Sequence, residues 1–186
     1  MQNIYLVNVL SSDKTGLVSA ISGCLFDLGI NLGSTNFSVL GSGAKFTAVC
    51  ESNPEITKAA LEETLGSLPE LANAEIQVVD FEFSAEPAAN TEITHRITIQ
   101  GGDHPGLLAR LTEVFIEFDA NIVRLNADRL NNDGQDQYLI QIAAWIPVGR
   151  EGACLASIGN TASALQMQCS YTRMPGEFGR DNGLGQ

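Results

Sequence analysis

The sequence predicts an α+β protein built from two tandem copies of one βαββαβ unit. When the 186-residue sequence is aligned with itself at an offset of 90 residues, corresponding segments match. This internal repeat is the first observation behind the prediction. Within each copy, short apolar runs typical of strands alternate with apolar residues at helical spacing. A short linker at 84–90, which contains Pro87, separates the copies.

The repeat is clearest at one corner of each copy. Asp13-Lys14-Thr15-Gly16-Leu17-Val18 aligns with Asp103-His104-Pro105-Gly106-Leu107-Leu108, and Asn31-Leu32 aligns with Asn121-Ile122. The shared pattern is D-x-x-G-L-[VL], followed by N-[LI] fifteen residues after the glycine. A gapless match of this length predicts a first domain at 1–84, a second at 91–173 and a mobile tail at 174–186.

The first copy contains the six elements in order. Its apolar runs, helical spacings and Gly/Pro positions predict a strand Ile4–Leu10, a helix from Leu17 to Leu28 stopped by Gly29, a strand Asn31–Leu40, a hairpin turn Gly41-Ser42-Gly43 into Ala44–Cys50, a helix opened by Pro54 and a last strand Ala74–Phe83.

The second copy repeats this order. The same signals predict a strand Ile93–Gln100, a helix Gly106–Phe118, a hairpin of Asn121–Leu130 and Asp136–Trp145 around Asn131–Gly134, a weaker helix from Arg150 to Leu165 and a last strand Gln166–Arg173. The βαββαβ order is that of the ferredoxin-like fold, which has a four-stranded antiparallel sheet with two helices on one face. That fold hosts many functions and specifies none of them.

The charge balance excludes some partners. The chain has 10 Lys+Arg against 22 Asp+Glu, a net charge of −12, and neither half has a basic cluster. Direct nucleic-acid binding needs a basic surface, and so does docking on anionic membranes, so we expect neither. The N-terminus lacks a signal-peptide pattern, no apolar run is long enough for a membrane helix, and the four cysteines have no metal-binding spacing. We therefore expect a cytoplasmic protein with reduced thiols.

The sequence gives no sign of catalysis. Only two histidines are present, His95 and His104, and no zinc spacing, nucleophile motif or cofactor fingerprint occurs. We expect no enzyme activity, no catalytic residue, no metal and no cofactor.

The repeated corner has residues suited to a small zwitterion. Gly16 and Gly106 stand at helix starts, where unpaired N–H groups attract a carboxylate. Asp13 or Asp103 could offset an ammonium, and the asparagine opening the next strand offers both a donor and an acceptor. Purely structural roles stay open as alternatives: the aspartates could cap helices, the asparagines could be turn residues and the glycines could serve packing.

These motifs resemble the ACT domain, a regulatory module that binds amino acids. Two such units with little else resemble the glycine cleavage system transcriptional repressors and related tandem ACT proteins. The resemblance covers about 160 residues and implies a ligand site at an interface between two units. The residues it implies are Asp13, Lys14, Thr15, Gly16, Leu17, Asn31, Asp103, His104, Pro105, Gly106, Leu107 and Asn121.

The resemblance also implies partners. It suggests glycine or serine as the ligand and a transcriptional activator as the protein partner. The first strand is apolar on both faces, so we expect pairing within the chain or in a homo-oligomer. Pro105, where the first copy has Thr15, favours the second corner as the better-defined site. Two alternatives stay open: an interaction module that binds no ligand, and an allosteric subunit of an amino-acid metabolic enzyme.

Overall fold

The computed structural model describes residues 2–84, 90–132 and 135–175. The chain divides into two compact units, 1–86 and 87–186. Each unit has its own sheet and its own hydrophobic core. The two predicted βαββαβ units are confirmed.

The elements of the first unit are β1 (Asn3–Ser12), α1 (Leu17–Asp27), β2 (Asn31–Leu40), β3 (Gly43–Ser52), α2 (Lys58–Gly66) and β4 (Glu75–Asp80). A short 3₁₀ helix, Pro69–Leu71, precedes the last strand. The strands form an antiparallel sheet with the order β2-β3-β1-β4.

The elements of the second unit are β5 (His95–Gly102), α3 (Leu107–Glu117), β6 (Asn121–Asn132), β7 (Gln135–Trp145), α4 (Glu151–Ala164) and β8 (Gln168–Arg173). This unit repeats the topology of the first with the strand order β6-β7-β5-β8, again antiparallel throughout. The predicted turn at 131–134 falls partly on Asp133 and Gly134, which lie outside the described residues, as do most of the linker and the tail beyond Pro175.

Period-two burial in the strands builds each core. In β1, Tyr5, Val7 and Val9 are buried on the face that also holds Phe46, while Leu10 on the other face is 47% exposed. The buried face of α1 joins the same cluster through residues at helical spacing, Leu17, Ile21 and Leu25. Helix α1 follows the central strand β1, so the repeated corner lies at the end of β1.

Helix α1 ends as its glycine predicts. Gly29 has φ +70°, its N–H donates to Phe26 O, and Ile30 N–H donates to Leu25 O. These two bonds form a Schellman motif, which satisfies two of the last carbonyls of the helix. Asp119 adopts the equivalent conformation after α3, with φ +51°, although it is not a glycine.

The prediction that Pro54 opens the second helix is wrong. The helix begins at Lys58, because Thr57 is the N-cap and its hydroxyl accepts a hydrogen bond from Ala60 N–H. A turn in which Ile56 N–H donates to Asn53 O separates Pro54 from the helix. The last strand is also shorter than predicted and ends at Asp80.

The four cysteines are free thiols. Burial raises the pKa of Cys50 to about 11, and burial also raises the pKa of the other three. Thiols held in the protonated form are poor nucleophiles, so they act here as small apolar side chains.

His95 is buried at the start of β5, with 2% of its surface exposed. Its Nδ1 lies 2.9 Å from Thr94 Oγ1, and that hydroxyl also accepts a hydrogen bond from Ile146 N–H. Burial is the main reason that the pKa of His95 is lowered, with a smaller opposing effect of Glu151. The unfolded state therefore binds a proton more readily than the folded state does.

We expect the second unit to lose stability as the pH falls below about 6.5, where the unfolded histidine begins to bind protons. The loss grows until the pH reaches the lowered pKa of the folded state. Urea unfolding followed by the fluorescence of Trp145, the one tryptophan, checks this at pH 7.5 and 5.5. The variant His95→Gln should flatten the pH dependence, and His104→Gln should keep it. Parallel pH dependences for the parent and His95→Gln would exclude His95 as the cause.

Candidate functional site

The repeated corner of the first unit is a tight turn that leads into α1. Leu17 N–H donates to Lys14 O at 3.3 Å, and Gly16 has φ +90° and ψ −3°. These angles are those of the third residue of a type II turn, where glycine is preferred because φ is positive. The corner glycine is thus required by the backbone.

The second unit forms the same turn. Leu107 N–H donates to His104 O at 3.2 Å, and Gly106 has φ +78° and ψ 3°. Pro105 occupies the second position, which proline favours in this turn type. Because Thr15 reaches the same geometry in the first unit, the proline is not needed to form the corner.

We expect Gly16→Ala to destabilise the first unit by about 1 kcal/mol, because an L-residue is strained at this φ. No atom lies within 4 Å of where its Cβ would stand, so bulk makes no contribution. Gly23→Ala is the matched control: it lies inside α1, also in open space, and should gain about 0.5–1 kcal/mol. Urea denaturation followed by circular dichroism measures both changes, and a stabilised Gly16→Ala would contradict the strain argument.

No side chain caps either helix at its corner. The alternative that Asp13 and Asp103 serve as helix caps is therefore wrong, because the turn makes glycine the N-cap residue. The first helical bond is made by Ala20 N–H to Gly16 O, which leaves the N–H groups of Val18 and Ser19 without an intrahelical acceptor. Such groups and the helix dipole favour a bound anion.

A cavity of about 260 Å³ lies at the first corner. Its shape comes from the turn, the first turn of α1 and the neighbouring strand β2. It brings together five of the predicted site residues, and its lining is Asp13, Lys14, Thr15, Gly16, Leu17, Val18, Ser19 and Phe37.

The sequence did not predict three residues of this site, Val18, Ser19 and Phe37. The first two follow the corner directly, and the orphan N–H groups of a helix start could have indicated them. Phe37 comes from β2, and only the strand register places it: it lies opposite Phe46, which lies opposite Val9. Phe37 is 37% exposed and supplies an apolar wall on the side of the sheet that carries the helices.

The two corner aspartates have different surroundings. Asp103 Oδ2 lies 2.7 Å from Arg129 Nη2, and the Asp103 side chain is 32% exposed. Within the described part of the chain, Asp13 has no ion pair, and its backbone N–H donates to Ser42 O in the β2–β3 turn. Lys14 Nζ donates a hydrogen bond to Glu70 O at 3.3 Å.

The predicted asparagines are not in the lining of this cavity. Asn31 starts β2, and its Nδ2 donates to Glu51 Oε2 at 3.3 Å. Asn121 starts β6, and its Nδ2 donates to Asn90 O at 2.9 Å. Each side chain thus has a partner within its own unit, and a ligand role for either stays a prediction.

Among the described residues, no group of three His, Cys, Asp or Glu side chains is placed to hold a metal ion. None of the helices that the structure describes is long and apolar enough to cross a membrane.

The chain matches no protein-family model and no curated protein sequence. Solved structures with the same architecture do match. An unknown protein from Galdieria sulphuraria is 18% identical with a TM-score of 0.71, over 94% of this chain and 100% of that one. A protein described as a candidate glycine cleavage system transcriptional repressor is 16% identical with a TM-score of 0.65, over 95% of this chain and 99% of that one.

A shorter match covers less than half of this chain. An ACT domain protein from Streptococcus pneumoniae is 22% identical with a TM-score of 0.39, over 43% of this chain and 91% of that one. At these identities the two longer matches show the fold and leave the ligand and partner open. The chain shares with them the tandem βαββαβ fold that its doubled corner motif predicts.

Proposed function

We propose that this protein is an amino-acid-responsive regulator that binds a small amino acid at the first corner and acts through a protein partner. The observation that carries the proposal is the cavity formed by Asp13–Ser19 and Phe37. It joins a helix start without a side-chain cap, a carboxylate that has no ion pair among the described residues, and an apolar wall, which together match the parts of an amino acid.

The ligand carboxylate binds at the start of α1. The N–H groups of Val18 and Ser19 have no intrahelical acceptor, and no side chain caps this helix. Hydrogen bonds from these groups, with the positive end of the helix dipole, stabilise a negative charge.

The ligand ammonium binds the Asp13 carboxylate. A cavity of about 260 Å³ suits a ligand with a small side chain, which Phe37 would contact. Glycine and serine fit this description, and they are the ligands that the ACT resemblance implies. The ACT resemblance implies Asn31 as a further polar contact, but this Asn31 starts β2 opposite Glu51, which lies opposite Ile4, at the end of the sheet remote from the corner. An asparagine that contacts this ligand would therefore come from another ACT unit.

Regulation then follows from a shift between two packings of the ACT units. A ligand that binds one packing more tightly raises its population and so changes the surface offered to a partner. The ACT resemblance implies a transcriptional activator as the partner, and the likeness to a candidate transcriptional repressor supports a role in transcription. The chain has 22 acidic against 10 basic side chains, so this regulation runs through a protein rather than through direct DNA contact. It takes place in the cytoplasm, with the protein in a paired or oligomeric state.

A thermal-shift screen of the twenty amino acids, followed by calorimetry with glycine and serine, tests the proposal. A ligand at 100 times its Kd adds about 2.7 kcal/mol to folding stability, a shift of several degrees. No shift with any amino acid at millimolar concentration would favour the alternative of a protein-interaction module without a ligand. Affinity capture with and without the bound amino acid then separates a transcriptional regulator from a metabolic enzyme as the partner.

A further inference from the structure

We propose that Arg129 weakens amino-acid binding at the second corner, so that the first corner is the tighter of the two sites. The inference rests on the proposed function and specifies which of the two repeated sites binds the ligand more tightly. It depends on the ion pair of Arg129 with Asp103, for which the first unit has no counterpart among its described residues.

Arg129 stands at the position that Val39 occupies in the first unit. Val39 lies opposite Ala44, which lies opposite Ser11 on β1, two residues before Asp13. Arg129 lies opposite Tyr138, which lies opposite Gly101 on β5, two residues before Asp103. The two side chains therefore belong to the same place in the two sheets, on the side that carries the helices.

The Arg129 guanidinium is paired with the Asp103 carboxylate, the group that a ligand ammonium would bind. Arg129 Nη2 is 2.7 Å from Asp103 Oδ2, so an ammonium must displace it. The free energy of an exposed ion pair of this kind is enough to weaken the binding of the ammonium by up to about fivefold. The displaced arginine would remain tethered beside the site, and its positive charge would oppose the ammonium further.

In the described part of the chain, the first corner has no such competitor. Val39 is uncharged and 48% exposed. Lys14, the basic side chain in the cavity lining, donates from Nζ to the backbone oxygen of Glu70. Asp13 is thus left for the ligand, although Thr15 replaces the proline that suggested the second corner as the better site.

Exchange of the two residues tests the inference. Amide resonances are followed by NMR during titration with glycine and with serine. In the parent, Val18 and Ser19 should shift at lower ligand concentrations than Leu108 and Ala109, and Arg129→Val should tighten the binding reported by Leu108 and Ala109 by up to about fivefold. Val39→Arg should weaken binding at the first corner about fivefold or more. Arg124→Val is the matched control, because Arg124 lies on the opposite face of β6 and its loss changes the net charge equally.

Three outcomes would overturn the inference. One is equal affinity at the two corners of the parent, and another is an Arg129→Val variant whose second corner binds no more tightly than that of the parent. A third is weaker binding in Arg129→Val, which would make the guanidinium a ligand for the carboxylate. In each of these cases the parent still binds an amino acid and the proposed function stands. Absence of binding in every variant and in the parent would instead contradict the proposed function, and the inference with it.

Discussion

Asp13→Asn should weaken the binding of glycine and serine by about tenfold or more. The substitution keeps the size of the side chain and removes the charge that faces the ligand ammonium. Hydrogen bonds to charged groups contribute about 1.5–3 kcal/mol, or roughly 10- to 150-fold in affinity. Isothermal titration calorimetry at low salt gives both affinities, and because Asp13 is exposed the fold should be unaffected.

Asp103→Asn is the matched control for this prediction. It makes the same change at the equivalent place in the second unit, where the carboxylate is already bound to Arg129. We expect its affinity for glycine and serine to match that of the parent. Equal losses from the two variants would mean that both corners take part in binding, and an unchanged Asp13→Asn would remove the ammonium site from the first corner.

Phe46→Ala should destabilise the first unit by about 3–5 kcal/mol, the largest change in stability that we expect from a single substitution. Phe46 is 1% exposed in the centre of β3, within the cluster formed by β1, α1 and the helices that follow. Truncation removes buried apolar surface and leaves a cavity that close-packed neighbours fill only in part. Urea unfolding followed by circular dichroism measures the change.

Phe26→Ala provides the control for this loss. The same atoms are removed from α1, but Phe26 is 79% exposed, so the change in free energy should stay within about 0.5 kcal/mol. A loss above about 2 kcal/mol for Phe26→Ala would show that its ring is covered in solution, by a surface that the isolated unit does not provide. A loss below about 1 kcal/mol for Phe46→Ala would contradict the assigned core.

The parts of the fold that sequence predicts well are those set by local chemistry. Gly16 and Gly106 mark the repeated corner because only glycine adopts its positive φ without strain, and Gly29 ends α1 for the same reason. The short apolar run Ile4–Leu10 likewise predicts the first strand, which the structure has at Asn3–Ser12. Each of these signals lies within a few residues of the structure that it specifies.

Other features depend on contacts between distant residues and escaped prediction. Phe37 enters the cavity lining through the pairing of β2 with β3, and Arg129 reaches Asp103 across the equivalent strands of the second sheet. Neither pairing leaves a local pattern in the sequence. Pro54 misled the prediction of α2 because proline at a helix start is common, whereas Thr57 supplies the actual cap.

A crystal structure of the protein grown with a saturating concentration of the tighter-binding amino acid, glycine or serine, tests the central claim most directly. We expect the ligand in the first corner, with its carboxylate about 2.7–3.2 Å from the nitrogens of Val18 and Ser19 and its ammonium equally close to the Asp13 carboxylate. We also expect Arg129 to remain on Asp103. A ligand bound away from Asp13–Ser19, or an empty first corner in a protein that calorimetry shows to be saturated, would contradict the account.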